Sequence, residues 1–246
     1  MSNNAAANQH HLTQSDREYH MSEHQQRGQD AYLLPLLSPL EIKDETTFAD
    51  LGCGSGYINA YLAVRRRLQC NIGLELDLSA LLLAKELNAG ARSICWLCAS
   101  AEFIPLASTS VDVVVCRGVV PLARAEHVIA EIGRILKRGG RATILLHPWT
   151  FYLSWLTFDP RRWKRAAAGL IHFSLGLWFN LTGHQIQVHY RGKRIGQTWQ
   201  TVSRMHRLLR KYDLELFKVS RDTEFFVYVV KSGGANSRSA QNSAQG

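Results

Sequence analysis

Between an apolar run and an amphipathic one, the segment Phe48-Ala49-Asp50-Leu51-Gly52-Cys53-Gly54-Ser55-Gly56-Tyr57 sets an acid two residues ahead of three alternating glycines. Glycines in that pattern let the backbone turn sharply and let a ligand approach the peptide groups. A helix starting just beyond would offer unpaired N–H groups. A dinucleotide fingerprint of the G-x-G-x-x-G type needs glycine at position 57, where Tyr57 stands. The Asp50 carboxylate would also repel a pyrophosphate, whereas it suits a cation. S-adenosylmethionine, with its α-ammonium and sulfonium, fits where a nicotinamide dinucleotide does not.

Further on, Gly73-Leu74-Glu75-Leu76-Asp77 ends a second apolar run. A carboxylate at the end of such a strand can accept hydrogen bonds from two ribose hydroxyls. Glu75 is the better placed of the two acids, and Asp77 reads as the cap of a helix starting at Ser79. Two more polar residues follow strand-like runs: Arg117 after Val111–Cys116 and His147 after Arg141–Leu146. His147 has the ordinary pKa of a general base. Its competing reading is a histidine packed between Leu146 and Pro148, and no partner for its second nitrogen can be named. Arg117 could meet a substrate anion or the cofactor carboxylate, or pair equally well with an acid of the chain. Tyr19, His20 and Arg27 stand in the polar lead, where nothing local ties them to a site. His172, His184 and His189 read as satisfied structural histidines. Cys95-x-x-Cys98 falls in a predicted strand, where positions i and i+3 face opposite ways. A zinc site needs four convergent ligands, so no metal is expected.

The elements that must hold these groups follow from hydrophobic periodicity. Thr47–Leu51, Cys70–Leu76, Ser93–Cys98, Val111–Cys116 and Arg141–Leu146 read as strands; Ile58–Arg66, Ser79–Asn88 and Ala125–Lys137 read as helices. The last of these helices carries Val128, Ile129, Ile132, Ile135 and Leu136 on one stripe and is expected to stop at Gly139-Gly140. Residues 1–25 are polar and expected to be frayed or loosely docked, and Gln26–Leu37 reads as a lead-in helix ended by proline. Near the other end come a helix at Thr201–Lys211 and two strands, Leu214–Val219 and Glu224–Lys231, close enough to pair antiparallel. The tail from Ser232 is expected to be disordered.

These motifs together resemble a class I S-adenosylmethionine-dependent methyltransferase of the small-molecule, ubiquinone/menaquinone-type branch. The resemblance rests on FADLGCGSGY, GLELDLSALLLAKELNA, AEFIPLASTSVDVVV and EIGRILKRGGRATI, in that order. It implies an α/β fold: a Rossmann-like, doubly wound, mostly parallel sheet of seven strands with an antiparallel closing hairpin. A helical, aromatic insertion is expected after the fifth strand. It further implies that Asp50 and the backbone of Gly52, Cys53, Gly54 and Gly56 hold the methionine end, and Glu75 the ribose. The adenine would meet Ser100, where the family often has Asp, and the backbone of Ala101; Arg117 is included in the cofactor set. The implied organisation is a polar lead (1–45), a cofactor-binding core (46–148), an acceptor-binding insertion (149–199), the closing helix and hairpin (200–231) and a tail (232–246).

Charge separates these regions. Of 246 residues, 1–148 carry 14 Lys/Arg against 15 Asp/Glu, and 149–246 carry 15 against 5. The insertion holds five of the six Trp, the basic groups Arg161-Arg162-Trp163-Lys164-Arg165 and Arg191-Gly192-Lys193-Arg194, and an uncharged run, Ala166–Tyr190. Ala166–Leu181 would be a helix about 24 Å long, apolar on every side. It falls short of the ~20 apolar residues that span a bilayer. Its expected role is a lid, with Trp163, Trp178 and Phe179 against a hydrophobic or lipid-like acceptor that carries anionic charge in one variant. A buried dimer element and peripheral contact with a membrane surface are the other readings. Nucleic acid is not an expected acceptor, because the basic residues frame an apolar run instead of a polar groove. Five irregularly spaced Cys and the lack of an apolar leader suggest a reducing, cytoplasmic setting.

Overall fold

The computed structural model describes residues 13–91, 93–155, 163–186, 188–190, 193–194, 196–221 and 224–233. In chain order the elements are α1 (Gln14–Arg27), α2 (Asp30–Leu37), β1 (Thr47–Leu51), α3 (Tyr57–Arg65), β2 (Cys70–Glu75), α4 (Leu78–Leu87), β3 (Ile94–Cys98) and β4 (Val111–Cys116). Then come α5 (Ala125–Ile135), β5 (Leu136–Leu145), α6 (Trp149–Leu153), α7 (Trp163–Thr182), the two-residue strands β6 (His189–Tyr190) and β7 (Lys193–Arg194), α8 (Val202–Lys211), β8 (Leu214–Ser220) and β9 (Phe226–Lys231).

Seven strands form one sheet in the order β3-β2-β1-β4-β5-β9-β8. The first five run parallel; β9 pairs antiparallel with β5, and β8 with β9. This is the expected doubly wound topology with its closing hairpin. The central strands are near-continuous apolar runs because helices cover both faces. On one face Val128, Ile129, Ile132 and Ile135 of α5 and Met205 and Leu209 of α8 pack on Ala49, Val114 and Ile144. On the other, Leu33 and Leu37 of α2 and Ile58 and Leu62 of α3 pack on Phe48, Val113, Val115 and Leu145. Strand alternation therefore assigns Asp50, two residues past Phe48, to the second face. Arg117 and His147 follow Val115 and Leu145 at the same interval. The parallel register puts Asp50 beside Gly73 and Val115.

Local chemistry sets the element boundaries. Asp77 caps α4, accepting from Ser79 N–H at 2.8 Å and Ala80 N–H at 3.4 Å. Thr201 caps α8 through Arg204 N–H. Residues 14–27 of the expected loosely docked lead form a helix without buried residues, opened by the Thr13 side chain accepting from Asp16 N–H. Two expectations need correction. The lead-in helix starts at Asp30, after a break at Gly28-Gln29, and Pro35 lies inside it instead of ending it. The second concerns α5, which stops at Ile135. Leu136 there is extended and fully buried, and β5 begins with it, five residues before the expected Arg141. The apolar pattern runs unbroken across that junction because both elements face one core. The expected disorder of residues 234–246 lies outside the described residues.

Candidate functional site

Asp50 lies at the C-terminal end of β1, 2% exposed, and its Oδ1 has no hydrogen-bond partner among the described residues. Burial, with Glu75 close by, pushes its carboxyl up to about 8. An acceptor oxygen buried without a donor is costly unless a ligand supplies one. Ser55 Oγ and the Tyr57 hydroxyl are likewise buried and without a partner among the described residues.

The glycine loop above Asp50 spends its donors internally. Gly52 and Cys53 N–H both go to Leu74 O, Gly56 N–H to Cys53 O, and Gly54 N–H to Glu75 Oε2 at 3.1 Å. A loop built for phosphate keeps such N–H groups free. The carbonyls of Gly52 and Gly54 accept no hydrogen bond among the described residues, and a carbonyl suits an ammonium. Gly56 sits at φ 71°, and a Cβ there would stand 2.3 Å from the Trp96 ring. Both the turn and that indole exclude any side chain.

Glu75 lies at the end of β2, its Oε1 accepting from Leu76 and Asp77 N–H. Both Oε1 lone pairs are thereby used, while Oε2, which accepts one bond from Gly54 N–H, retains a lone pair for a ligand hydroxyl. Ser100 Oγ accepts from Glu102 N–H, and Ala101 is buried beside it. Cys53 is buried, and burial raises its thiol far above the ordinary range, so it has a lining role without nucleophilic character. The residues present therefore fit S-adenosylmethionine: an uncompensated acid and free carbonyls for its cationic end, and a carboxylate one strand over for its ribose.

Helix α1 crosses this loop. A Cβ on Gly54 would stand 3.6 Å from His20 Nδ1, and His24 Nδ1 lies 3.3 Å from Ser55 O. No residue of α1 is buried. Arg17 pairs with Glu86 at 2.7 Å, Arg27 with Glu224 at 3.1 Å, and Glu23 with Arg117 at 3.4 Å. Arg117 thereby takes the second of its two readings. Its guanidinium meets Glu23, both oxygens of Glu224 and the Tyr32 hydroxyl, so it is neutralised from within. Spacings of 94 and 107 residues left no sequence signal for these partners.

His147, half-buried past β5, has the partner that the sequence did not reveal. Its Nδ1 lies 3.0 Å from the Tyr152 hydroxyl, and its ring stacks on Phe151 at 4.5 Å. Burial pulls the imidazole down to about 4, against a smaller opposing push from Glu224, so it is neutral at pH 7.

The insertion differs most from expectation. Helix α7 buries a single stripe, Gly169, His172, Gly176 and Phe179. The Trp199 indole lies so close to Gly176 that a Cβ there would be 2.1 Å from its ring. Phe179 joins the α5–α8 core, while Trp178 and Trp163 point outward, 49% and 64% exposed. Trp178 and Phe179 thus do not line one surface, and the three aromatic residues expected to converge on an acceptor do not meet. The apolar residues that go all round the helix divide into a packed stripe and an outer face that includes Leu170, Ile171 and Leu181. Arg161, Arg162, Arg191 and Gly192 of the flanking basic groups lie outside the described residues, as do the side chains of His189, Lys193 and Arg194. Among the described residues no helix is long and apolar enough to cross a membrane, and no cluster of possible metal ligands occurs.

Residues 49–144 match the family described as a methyltransferase domain. The biotin biosynthesis bifunctional protein BioHC of Cellvibrio japonicus is 36% identical over 120 residues, 48% of this chain and 23% of that protein. The malonyl-[acyl-carrier protein] O-methyltransferase of a Marinomonas species is 31% identical over 113 residues, 46% of this chain and 42% of that one. The chain thus spans less than half the length of either relative. Among solved structures, an S-adenosylmethionine-dependent methyltransferase from Methanosarcina mazei superposes with a TM-score of 0.54 at 16% identity, covering 80% of this chain and 95% of that one. At that identity the likeness speaks for the fold.

Proposed function

We propose, from a chain whose residues 49–144 carry a methyltransferase domain, that this protein transfers a methyl group from S-adenosylmethionine to a hydrophobic small-molecule acceptor. The observation that carries this reading is the buried, partnerless Asp50 carboxyl beneath a glycine loop whose N–H groups are largely spent. When bound, S-adenosylmethionine supplies an activated methyl group on a sulfonium, whose C–S electron pair stays on sulfur as the methyl leaves. Asp50 and the Gly52 and Gly54 carbonyls hold the ammonium, Glu75 the ribose hydroxyls, and Ser100 with Ala101 the adenine. Alignment and exclusion of water are the protein's main contributions.

An acceptor oxygen, nitrogen or carbon forms the new bond to the methyl carbon. If that atom carries a proton, His147 receives it. A buried imidazole pulled down to about 4 is a weak base. It therefore suits an acceptor whose own proton is acidic, such as a phenol, an enol or a carbon acid, better than an alcohol. A carboxylate acceptor, arriving already ionised, would need no base. The relative named a malonyl-[acyl-carrier protein] O-methyltransferase supports a small acyl-type acceptor over a nucleic acid. The outer face of α7, with Lys164 and Arg165 at its start, supports a place for a lipid-like acceptor or a membrane surface.

Calorimetric titration tests the reading. S-adenosylmethionine and its demethylated product should bind, a nicotinamide dinucleotide should not, and Asp50→Asn should weaken both complexes by about thirtyfold or more. Binding of the dinucleotide, or unchanged affinity in Asp50→Asn, would refute it.

A further inference from the structure

The Tyr152 side chain is fully buried, yet its hydroxyl lies between two polar atoms, His147 Nδ1 at 3.0 Å and Gln197 Oε1 at 3.1 Å. An amide oxygen has no proton to give, so the hydroxyl must donate to Gln197. A hydroxyl has one proton, so it can meet His147 only as an acceptor. The hydrogen on the imidazole is then on Nδ1. Nε2 keeps its lone pair and has no hydrogen bond among the described residues.

Gln197 is itself held in place. Its backbone N–H donates to Nδ1 of His172, on the buried stripe of α7, at 3.1 Å. The His172 ring is flanked by Tyr152 and Trp155, each with ring centroids 5.6 Å away. A chain of directed bonds thus runs from α7 through Gln197 and α6 to the end of β5.

We propose that Tyr152 and Gln197 are positioning residues that hold His147 in its Nδ1–H form, leaving the Nε2 lone pair to receive the acceptor proton. In that step the acceptor–hydrogen bond breaks as the acceptor–methyl bond forms. The proton joins Nε2, and the imidazolium that results is stabilised through Nδ1–H on the Tyr152 oxygen. The insertion thereby acts on the site through the orientation of one proton. The use of Nε2 as a base rests on the methyl-transfer reading above; the tautomer does not.

The test is ¹⁵N NMR on the full chain with labelled histidine, the His147 signals being assigned by their loss in His147→Ala. In the wild type, Nδ1 should be protonated and Nε2 not. Tyr152→Phe removes the acceptor, and the ring should then populate both tautomers. Gln197→Ala keeps the buried ring but frees its hydroxyl to turn toward His147, and the same mixing should appear. This second variant and the wild type decide the matter if Tyr152→Phe does not fold. Affinity for S-adenosylhomocysteine should stay within about twofold in both variants, since the site of change is removed from the glycine loop. A wild-type ring protonated on Nε2, or a tautomer unmoved in Gln197→Ala, would overturn the proposal. Failure of the wild type to bind S-adenosylhomocysteine would instead overturn the methyl-transfer reading and leave the tautomer result standing.

Discussion

Helices α1 and α7 both flank the strand ends that carry Asp50 and His147, but different physics holds each in place. Helix α1 buries no residue and is fixed by ion pairs from Arg17, Glu23 and Arg27 and by the contact of His24 with Ser55 O. Helix α7 is fixed by a buried stripe that ends in Phe179, while much of its solvent side is apolar. Of these pairs only Arg17–Glu86 is exposed, and such a pair contributes about 0–1 kcal/mol and weakens with salt; Arg27–Glu224 and Glu23–Arg117 are partly buried and are screened less. A buried aromatic contributes several times as much and is insensitive to salt. The cover over the glycine loop is therefore held electrostatically, and the wall behind His147 is held by packing.

The largest expected effect is on the packed side. Phe179→Ala should destabilise the protein by about 3–5 kcal/mol in urea unfolding; a loss below 1 kcal/mol would mean that α7 is not anchored as described. Next comes the acid under α1. Asp50 ordinarily ionises at 3.8 and is raised to about 8 here, so between those values the free folded protein holds a proton that the unfolded chain has lost. Free-protein stability should fall as pH rises through that window. Binding of an ammonium ligand should release the proton, so S-adenosylhomocysteine affinity should climb by up to about tenfold per pH unit between pH 5 and 7. Calorimetry in buffers of different ionisation enthalpy measures that release directly, and none at pH 7 would contradict the picture.

Gly176→Ala sharpens the comparison from the other helix. A methyl 2.1 Å from the Trp199 ring should cost about 1–3 kcal/mol through overpacking, with little salt dependence. Smallest of all, Arg17→Ala should cost under about 1 kcal/mol at low salt and nothing measurable at 1 M. A larger, salt-independent loss would show that α1 is held by packing after all.

The sequence made the first half of the molecule legible and the second half much less so. Asp50, the three glycines and Glu75 were readable because they lie within one βαβ unit, where order along the chain is also order in space. The position of Arg117 and His147 just past the ends of strands was readable too. Arg117 was left undecided because Glu23 and Glu224 reach it from both ends of the chain. The helix Ala166–Leu181 was placed within a few residues, but its buried side was not, because its apolar residues show no preferred stripe. Trp199, which packs on Gly176, and the α5–α8 core that receives Phe179 select that side, and they come from other segments.

What the chain determined alone was the order of strands and helices, a glycine bend with an acid beneath it, and an uneven distribution of charge. Those follow from period, turn chemistry and composition, which act over a few neighbouring residues. Tertiary structure decided which acids neutralise Arg117, which nitrogen of His147 carries hydrogen, and which face of α7 is buried. Each of those depends on bonds or contacts that include a partner remote in sequence, Glu23 and Glu224 for Arg117, Gln197 for the Tyr152–His147 pair and Trp199 for α7, and no local pattern encodes such a distance.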